Sequence, residues 1–142
     1  MKYFTWLICL FFSATLAYAN PDTVQTASGL RYTVLQKGNG PQVSQGARVL
    51  VHYTGRFANG KVFDTSEGQK PIKFKAGTGE VIAGWDEMLL LMRAGQEVEV
   101  MIPARLAYGA HGVPDPHSGN NGYRIPPNTD LIFRMKVVEV KQ

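Results

Sequence analysis

The chain has 142 residues, 44% of them hydrophobic and 18% charged, with 15 Gly, 8 Pro and one Cys. That is the size of a single domain, and an aromatic content of 11% argues against disorder. The formal charge is +4, but Lys and Arg are spread singly, which argues against a nucleic-acid footprint.

The first predicted element is a leader. Tyr3 to Pro21 carries no charge, Lys2 precedes it, and Phe4, Trp6, Leu7, Ile8, Leu10, Phe11 and Phe12 form an apolar centre. Ala17-Tyr18-Ala19 then supplies the A-x-A spacing of a cleavage site. The three parts predict a secretory signal over residues 1–19, cut after Ala19. The expected location is therefore the periplasm or the medium, with no stable membrane anchor after cleavage. An uncleaved anchor is the competing reading, since the uncharged run is about long enough to span a bilayer. Ser13, Thr15 and the A-x-A sequence favour cleavage. Cys9 lies within the leader behind Leu7-Ile8, without the small residues that precede a lipidated cysteine. The mature chain then has no cysteine and rests on its core alone.

Residues 20–28 are short and polar, contain Pro21 and read as a flexible lead-in. Residues 29–142 read as one domain without linker or repeat. Period-2 alternation predicts strands around Leu30, Tyr32 and Val34, then Val49, Val51 and Tyr53. Asn59-Gly60 predicts a type I′ hairpin turn joining a strand that ends near Phe57 to one running from Lys61 through Phe63. Ile82, Trp85, Leu89 and Met92 recur at spacings of three and four, which predicts a helix from Gly84 to Arg93. Asp86 and Glu87 suit the positive end of its dipole, Arg93 suits its other end, and Gly95 stops it. Further strands follow at Val98, Val100 and Ile102 and at Leu131, Phe133, Met135 and Val137, with a possible bulge at Val137-Val138. One short helix among about five antiparallel strands makes the class α+β, the helix covering the buried face of the sheet.

Conventional catalytic equipment is scarce. There is no mature cysteine, no G-x-S-x-G elbow and no Gly-rich phosphate loop. His111 and His117 are six apart around Pro114 and Pro116, a poor basis for a zinc or nickel site, so no metal and no cofactor are expected. His52 alternates outward and reads as a solvated strand residue. Aromatic and aliphatic residues at strand ends and turns are abundant instead. They are core by default, but they stand in Val-His-Tyr-Thr-Gly (51–55), Gly-Lys-Val-Phe-Asp (60–64), Glu-Val-Ile-Ala-Gly-Trp (80–85), Ala-Tyr-Gly (107–109) and Ile-Pro-Pro-Asn-Thr-Asp-Leu-Ile-Phe (125–133).

With these motifs in order from about Gly29 to Lys141, the chain resembles the FKBP family of macrolide-binding peptidyl-prolyl cis–trans isomerases. Ser28-Gly29-Leu30-Arg31-Tyr32 resembles the opening of exported bacterial members, without the helical dimerisation domain some of them carry. The resemblance implies a five-stranded antiparallel sheet wrapped around the short helix, with a pocket between them. It implies Trp85 as pocket floor and Tyr53, Phe63, Val81, Ile82 and Phe133 as walls. Ile72 stands where many relatives have an aromatic, with Phe74 following. Tyr108 and the backbone N–H of Ile82 would donate to a ligand carbonyl, and Asp64 would sit at the rim. The implied catalytic set is Tyr53, Phe63, Asp64, Trp85, Tyr108 and Phe133. The implied substrate-binding set is Ile72, Phe74, Val81, Ile82 and Ile125.

The implied function is isomerisation of Xaa-Pro bonds in exported, folding polypeptides by a monomer, with macrolides as candidate inhibitors. A non-catalytic module for proline-containing peptides and a folding chaperone are the alternatives. Asp64-Thr65-Ser66 also reads as an Asx-type turn. Residues 113–124 are longer than the usual bridge at this point, either a tolerated surface insertion or a lip that alters which sequences beside proline are accepted. Arg124 replaces a residue usually apolar, and Leu106 one usually aromatic.

Overall fold

The computed structural model describes residues 22–117 and 122–142. The leader, its cleavage site, Cys9 and the Asn120-Asn121 tip lie outside the described residues. The strands are β1 (Thr23–Gln25), β2 (Arg31–Gln36), β3 (Arg48–Arg56), β4 (Val62–Thr65), β5 (Ile72–Lys75), β6 (Glu97–Ile102), β7 (Val113–Pro114), β8 (Tyr123–Ile125) and β9 (Leu131–Lys141). The one α-helix is α1 (Ala83–Leu90), and a 3₁₀ turn spans Ala104–Leu106.

The main sheet is antiparallel with strand order β1-β2-β6-β9-β3-β4, and β5 also pairs with β3. Its strand count exceeds the expected five for two reasons. The outer edge of β3 is shared: Arg48 to Val51 pair with β5, and Thr54 to Arg56 pair with β4. Residues 23–25, expected in a flexible lead-in, form β1 against Thr33, Tyr32 and Arg31. The edge of β2 offers them backbone partners, and the turn between is closed by Thr26 N–H to Leu30 O at 2.9 Å.

Alternation decides which side chains go inside. Val51, Val98, Val100, Ile102, Leu131, Met135 and Val137 are completely buried on the face that meets α1. The long strands put them in register, Val98 opposite Met135, Val100 opposite Phe133 and Val51 opposite Val137. The bulge is present: Val51 faces Val137 while Leu50 faces Glu139, so Val138 is the extra residue and points to solvent.

Two local expectations differ. The 57–60 turn is not type I′, because only Gly60 has positive φ (88°) and Asn59 does not. Gly60 N–H bonds Phe57 O, and Phe57 N–H bonds Lys61 O, each at 2.9 Å, which makes a three-residue loop with glycine in the bulge position. The helix stops at Leu90, short of Arg93, because Leu91 and Met92 N–H bond back three residues to Met88 and Leu89 and tighten the last turn. Met92 still reaches the core and is completely buried.

Helix α1 comes unusually close to β6. A Cβ on Gly84 would stand 2.4 Å from Ile102 Cγ2, so only glycine fits at this crossing. Asp86 does not simply face the helix dipole. Its carboxylate accepts the N–H groups of Gly77 and Gly79, both at 2.8 Å, and so fixes the loop leading into the helix.

Candidate functional site

Close approach of helix to sheet leaves a hollow at the end where α1 begins. A cavity of about 200 Å³ is lined by Tyr53, Phe63, Asp64, Ile72, Glu80, Val81, Ile82, Trp85, Tyr108 and Phe133. That is smaller than the ~300–1,000 Å³ of sites for drug-sized ligands, so the shape admits one small compact group. A larger open hollow of about 760 Å³ beside the 57–61 hairpin, lined by Phe57, Pro126 and Pro127 among others, contains none of the expected site residues.

The rings are locked edge to face. Trp85 stands 4.9 Å from Tyr53 and 5.3 Å from Phe133 between centroids, at interplanar angles of 74° and 88°. Phe63 meets Phe133 at 5.6 Å and 86°. Edge-to-face geometry places the positive rim of one ring on the negative face of the next. Gly55 makes room for this packing, since a Cβ there would lie 2.6 Å from Phe63 Cζ and 2.7 Å from Phe133 Cε1. Trp85 is only 5% exposed, and its Nε1–H is buried without a hydrogen-bond partner among the described residues.

Polar groups gather at the rim. Tyr53 donates its hydroxyl to Asp64 Oδ2 at 2.7 Å. Asp64 Oδ1 accepts the N–H of the next residue, Thr65, at 3.0 Å, and Arg124 Nη2 stands 3.5 Å from the same oxygen. The expected Asx-type turn is absent, because Ser66 N–H goes to Tyr53 O, and the local turn is closed by Glu67 N–H on Thr65 Oγ1 at 3.1 Å. Burial first, then the bond to Asp64 and its charge, push the Tyr53 phenol up to about 12. Burial also raises Tyr108, opposed by the nearby Arg124 guanidinium. Tyr108 is 39% exposed, and among the described residues its hydroxyl holds no hydrogen bond, so it is available to a ligand oxygen. Ile82 caps α1 with extended backbone, its carbonyl accepting Trp85 N–H and Asp86 N–H at 2.9 and 3.2 Å. Its own N–H lies ahead of the helical ladder.

Nine expected site residues thus share one cavity, and two do not. Phe74 is buried one step deeper on β5 than Ile72, its ring 5.9 Å from Trp85. Ile125 is buried in the core, because alternation on β8 sends Arg124 outward to Asp64 and Ile125 inward. His52 is not simply solvated: its Nδ1 is 2.8 Å from the hydroxyl of Ser66, which is itself buried. Sequence reasoning missed Glu80 as a lining residue and Arg124 as the partner of Asp64. The only signals were the place of Glu80 beside Val81 and the unusual charge at 124.

Residues 40–138 match the family described as FKBP-type peptidyl-prolyl cis-trans isomerase. The chain is 41% identical over 119 residues to FK506-binding protein 4 of Mycosarcoma maydis, covering 84% of this chain and 29% of that protein. It is 44% identical over 104 residues to a peptidyl-prolyl cis-trans isomerase of Saccharomyces cerevisiae, covering 73% and 23%. The chain therefore spans about a quarter of the length of these curated relatives. Among solved structures it is similar to a peptidyl-prolyl cis-trans isomerase of Pseudomonas syringae, with a TM-score of 0.73, 35% identity and coverage of 87% and 84%. It is also similar to FkpA from Escherichia coli, with a TM-score of 0.74, 35% identity and coverage of 87% and 53%. Family match, relatives and fold agree: the chain belongs to the FKBP-type peptidyl-prolyl cis-trans isomerase family.

Proposed function

We propose that this chain is a peptidyl-prolyl cis–trans isomerase acting on exported polypeptides while they fold. One observation carries the reading: a small cavity floored and walled by aromatic rings, with the Tyr53 hydroxyl, Asp64 and Tyr108 among its lining. Rotation about an amide costs ~18–20 kcal/mol because it breaks C–N resonance, and the uncatalysed prolyl reaction takes on the order of tens to hundreds of seconds. No bond to carbon is made or broken, so the reaction needs neither nucleophile nor metal. The planar imide is more charge-separated than the twisted one. A dry cavity shaped around the twisted form therefore favours the transition state over the ground state. Lowering the barrier to ~14 kcal/mol gives rates on the order of hundreds per second.

In this reading Trp85 is the floor under the proline ring, and Tyr53, Phe63, Ile72, Val81, Ile82 and Phe133 exclude water. Tyr108 and the Ile82 N–H hold carbonyl oxygens. Asp64 fixes the Tyr53 hydroxyl at the rim. NMR exchange on a short Xaa-Pro peptide, with and without a macrolide competitor, tests it. Acceleration abolished by the competitor supports the reading, and peptide binding without acceleration replaces it with a non-catalytic binding module.

Export rests on the leader pattern at 1–19. Intact mass of the protein recovered outside the cytoplasm is expected to begin at Asn20, and a retained Met1 or Lys2 refutes cleavage.

A further inference from the structure

Opposite charges stand around the mouth of the cavity on different elements. Glu80 lines it from the segment before α1, with its Oε2 accepting Lys75 N–H at 2.8 Å. Arg124 stands beside the mouth on β8, half of its side chain exposed, and meets the site through Asp64. Its contact with Asp64 is loose, 3.5 Å and through Nη2, the kind of half-exposed pair that contributes little to stability. A guanidinium has five N–H donors in a planar fork, so one approach to Asp64 leaves donors open to a second carboxylate. Asp64 meanwhile holds the Tyr53 hydroxyl and Thr65 N–H. Its charge is thus spread over several donors, and that of Arg124 is the less compensated.

The cavity, about 200 Å³ and open at its mouth, is of a size to take the proline ring. The bond that turns must lie within it, so the residue before the proline is the first to emerge at the mouth. We propose that Arg124 is a specificity-determining residue that selects substrates with an acidic side chain immediately before the proline, through a charge-assisted hydrogen bond from the guanidinium donors left open by Asp64. The proposal rests on the isomerase reading and names its preferred substrate class.

The test measures kcat/KM for tetrapeptides that differ only in Glu, Gln or Lys before Pro. The readout is the Glu-Pro over Lys-Pro ratio within each protein, so any general loss of activity cancels. The wild type is expected to favour Glu-Pro by about five-fold at low salt and to lose the preference at about 0.5 M salt. Arg124→Gln is expected to bring the ratio near one, and Arg124→Glu to invert it. A wild-type ratio near one, or the same ratio in all three proteins, overturns the proposal while leaving the isomerase reading intact. The same ratio is also measured as Kd by NMR titration. If no peptide is turned over, the isomerase reading fails, and a Kd ratio near one removes acid recognition with it.

Discussion

The Tyr53 hydroxyl donates to Asp64 Oδ2 at 2.7 Å while the Tyr53 ring stands edge-on to Trp85 at 4.9 Å. One side chain therefore ties the polar rim of the cavity to its apolar floor. Tyr53 comes from β3 and Asp64 from the neighbouring β4, where Gly55 pairs with Asp64, so the bond follows from strand register.

The phenol of Tyr53 gives a pH dependence. Its folded value, about 12, lies above the ordinary 10.0, so the folded state favours the neutral phenol. Its contribution to stability is therefore complete below pH ~10 and is lost as pH rises towards about 12. Urea unfolding across this range is expected to show a fall in stability that is shallower in Tyr53→Phe. Ultraviolet titration of Asp64→Ala is expected to move the phenol down without restoring 10.0, because burial is the largest cause.

Phe133 touches Tyr53, Phe63 and Trp85 through its ring and is 3% exposed. Phe133→Leu keeps an apolar core side chain but removes a cavity wall. A loss in kcat/KM of about ten-fold or more is expected, larger than that of Asp64→Ala, with circular dichroism confirming that both variants stay folded. Equal activity in a folded Phe133→Ala variant refutes the assignment of the cavity.

Ser66 is buried, and its hydroxyl accepts Tyr53 N–H at 2.8 Å and lies 2.8 Å from His52 Nδ1. Ser66→Ala leaves the Tyr53 N–H without this acceptor. A loss of ~1–3 kcal/mol in urea unfolding is expected, together with lower kcat/KM because Tyr53 is a cavity wall.

Gly84→Ala tests the helix–sheet crossing. The added methyl would meet Ile102 Cγ2 at 2.4 Å, and ~1–3 kcal/mol of destabilisation is expected by chemical denaturation. Ile102→Ala removes the obstructing atom, so the double variant is expected to be more stable than the sum of the two single losses implies.

Strands β3, β6 and β9 were legible because an unbroken alternate set of apolar residues faces inward, while the outward set is mostly polar despite Leu50, Met101 and Ile132. The Val137-Val138 bulge was legible for the same reason, as a break in that phase. Most of the cavity was legible through motifs, since Tyr53, Phe63, Trp85 and Phe133 lie far apart in the chain and periodicity alone reads them as core. Phe74 and Ile125 were not separable from the wall, because burial depth depends on how the helix lies over the sheet. The Asp64–Arg124 pair and the Ser66–His52 contact join segments 60 and 14 residues apart. A local pattern holds no trace of either. Strand β1 escaped because three residues are too few to show alternation.

The position of β9 between β6 and β3 makes it the strand on which the sheet closes. The two strands that flank the middle of the sheet do not pair with each other, and their shared neighbour is made last, from Leu131 to Lys141. Without β9 the sheet has no arrangement in which both β3 and β6 are paired along the edges that β9 covers. Closure of the sheet therefore depends on long-range pairing by a single segment, the kind of non-local contact that slows folding.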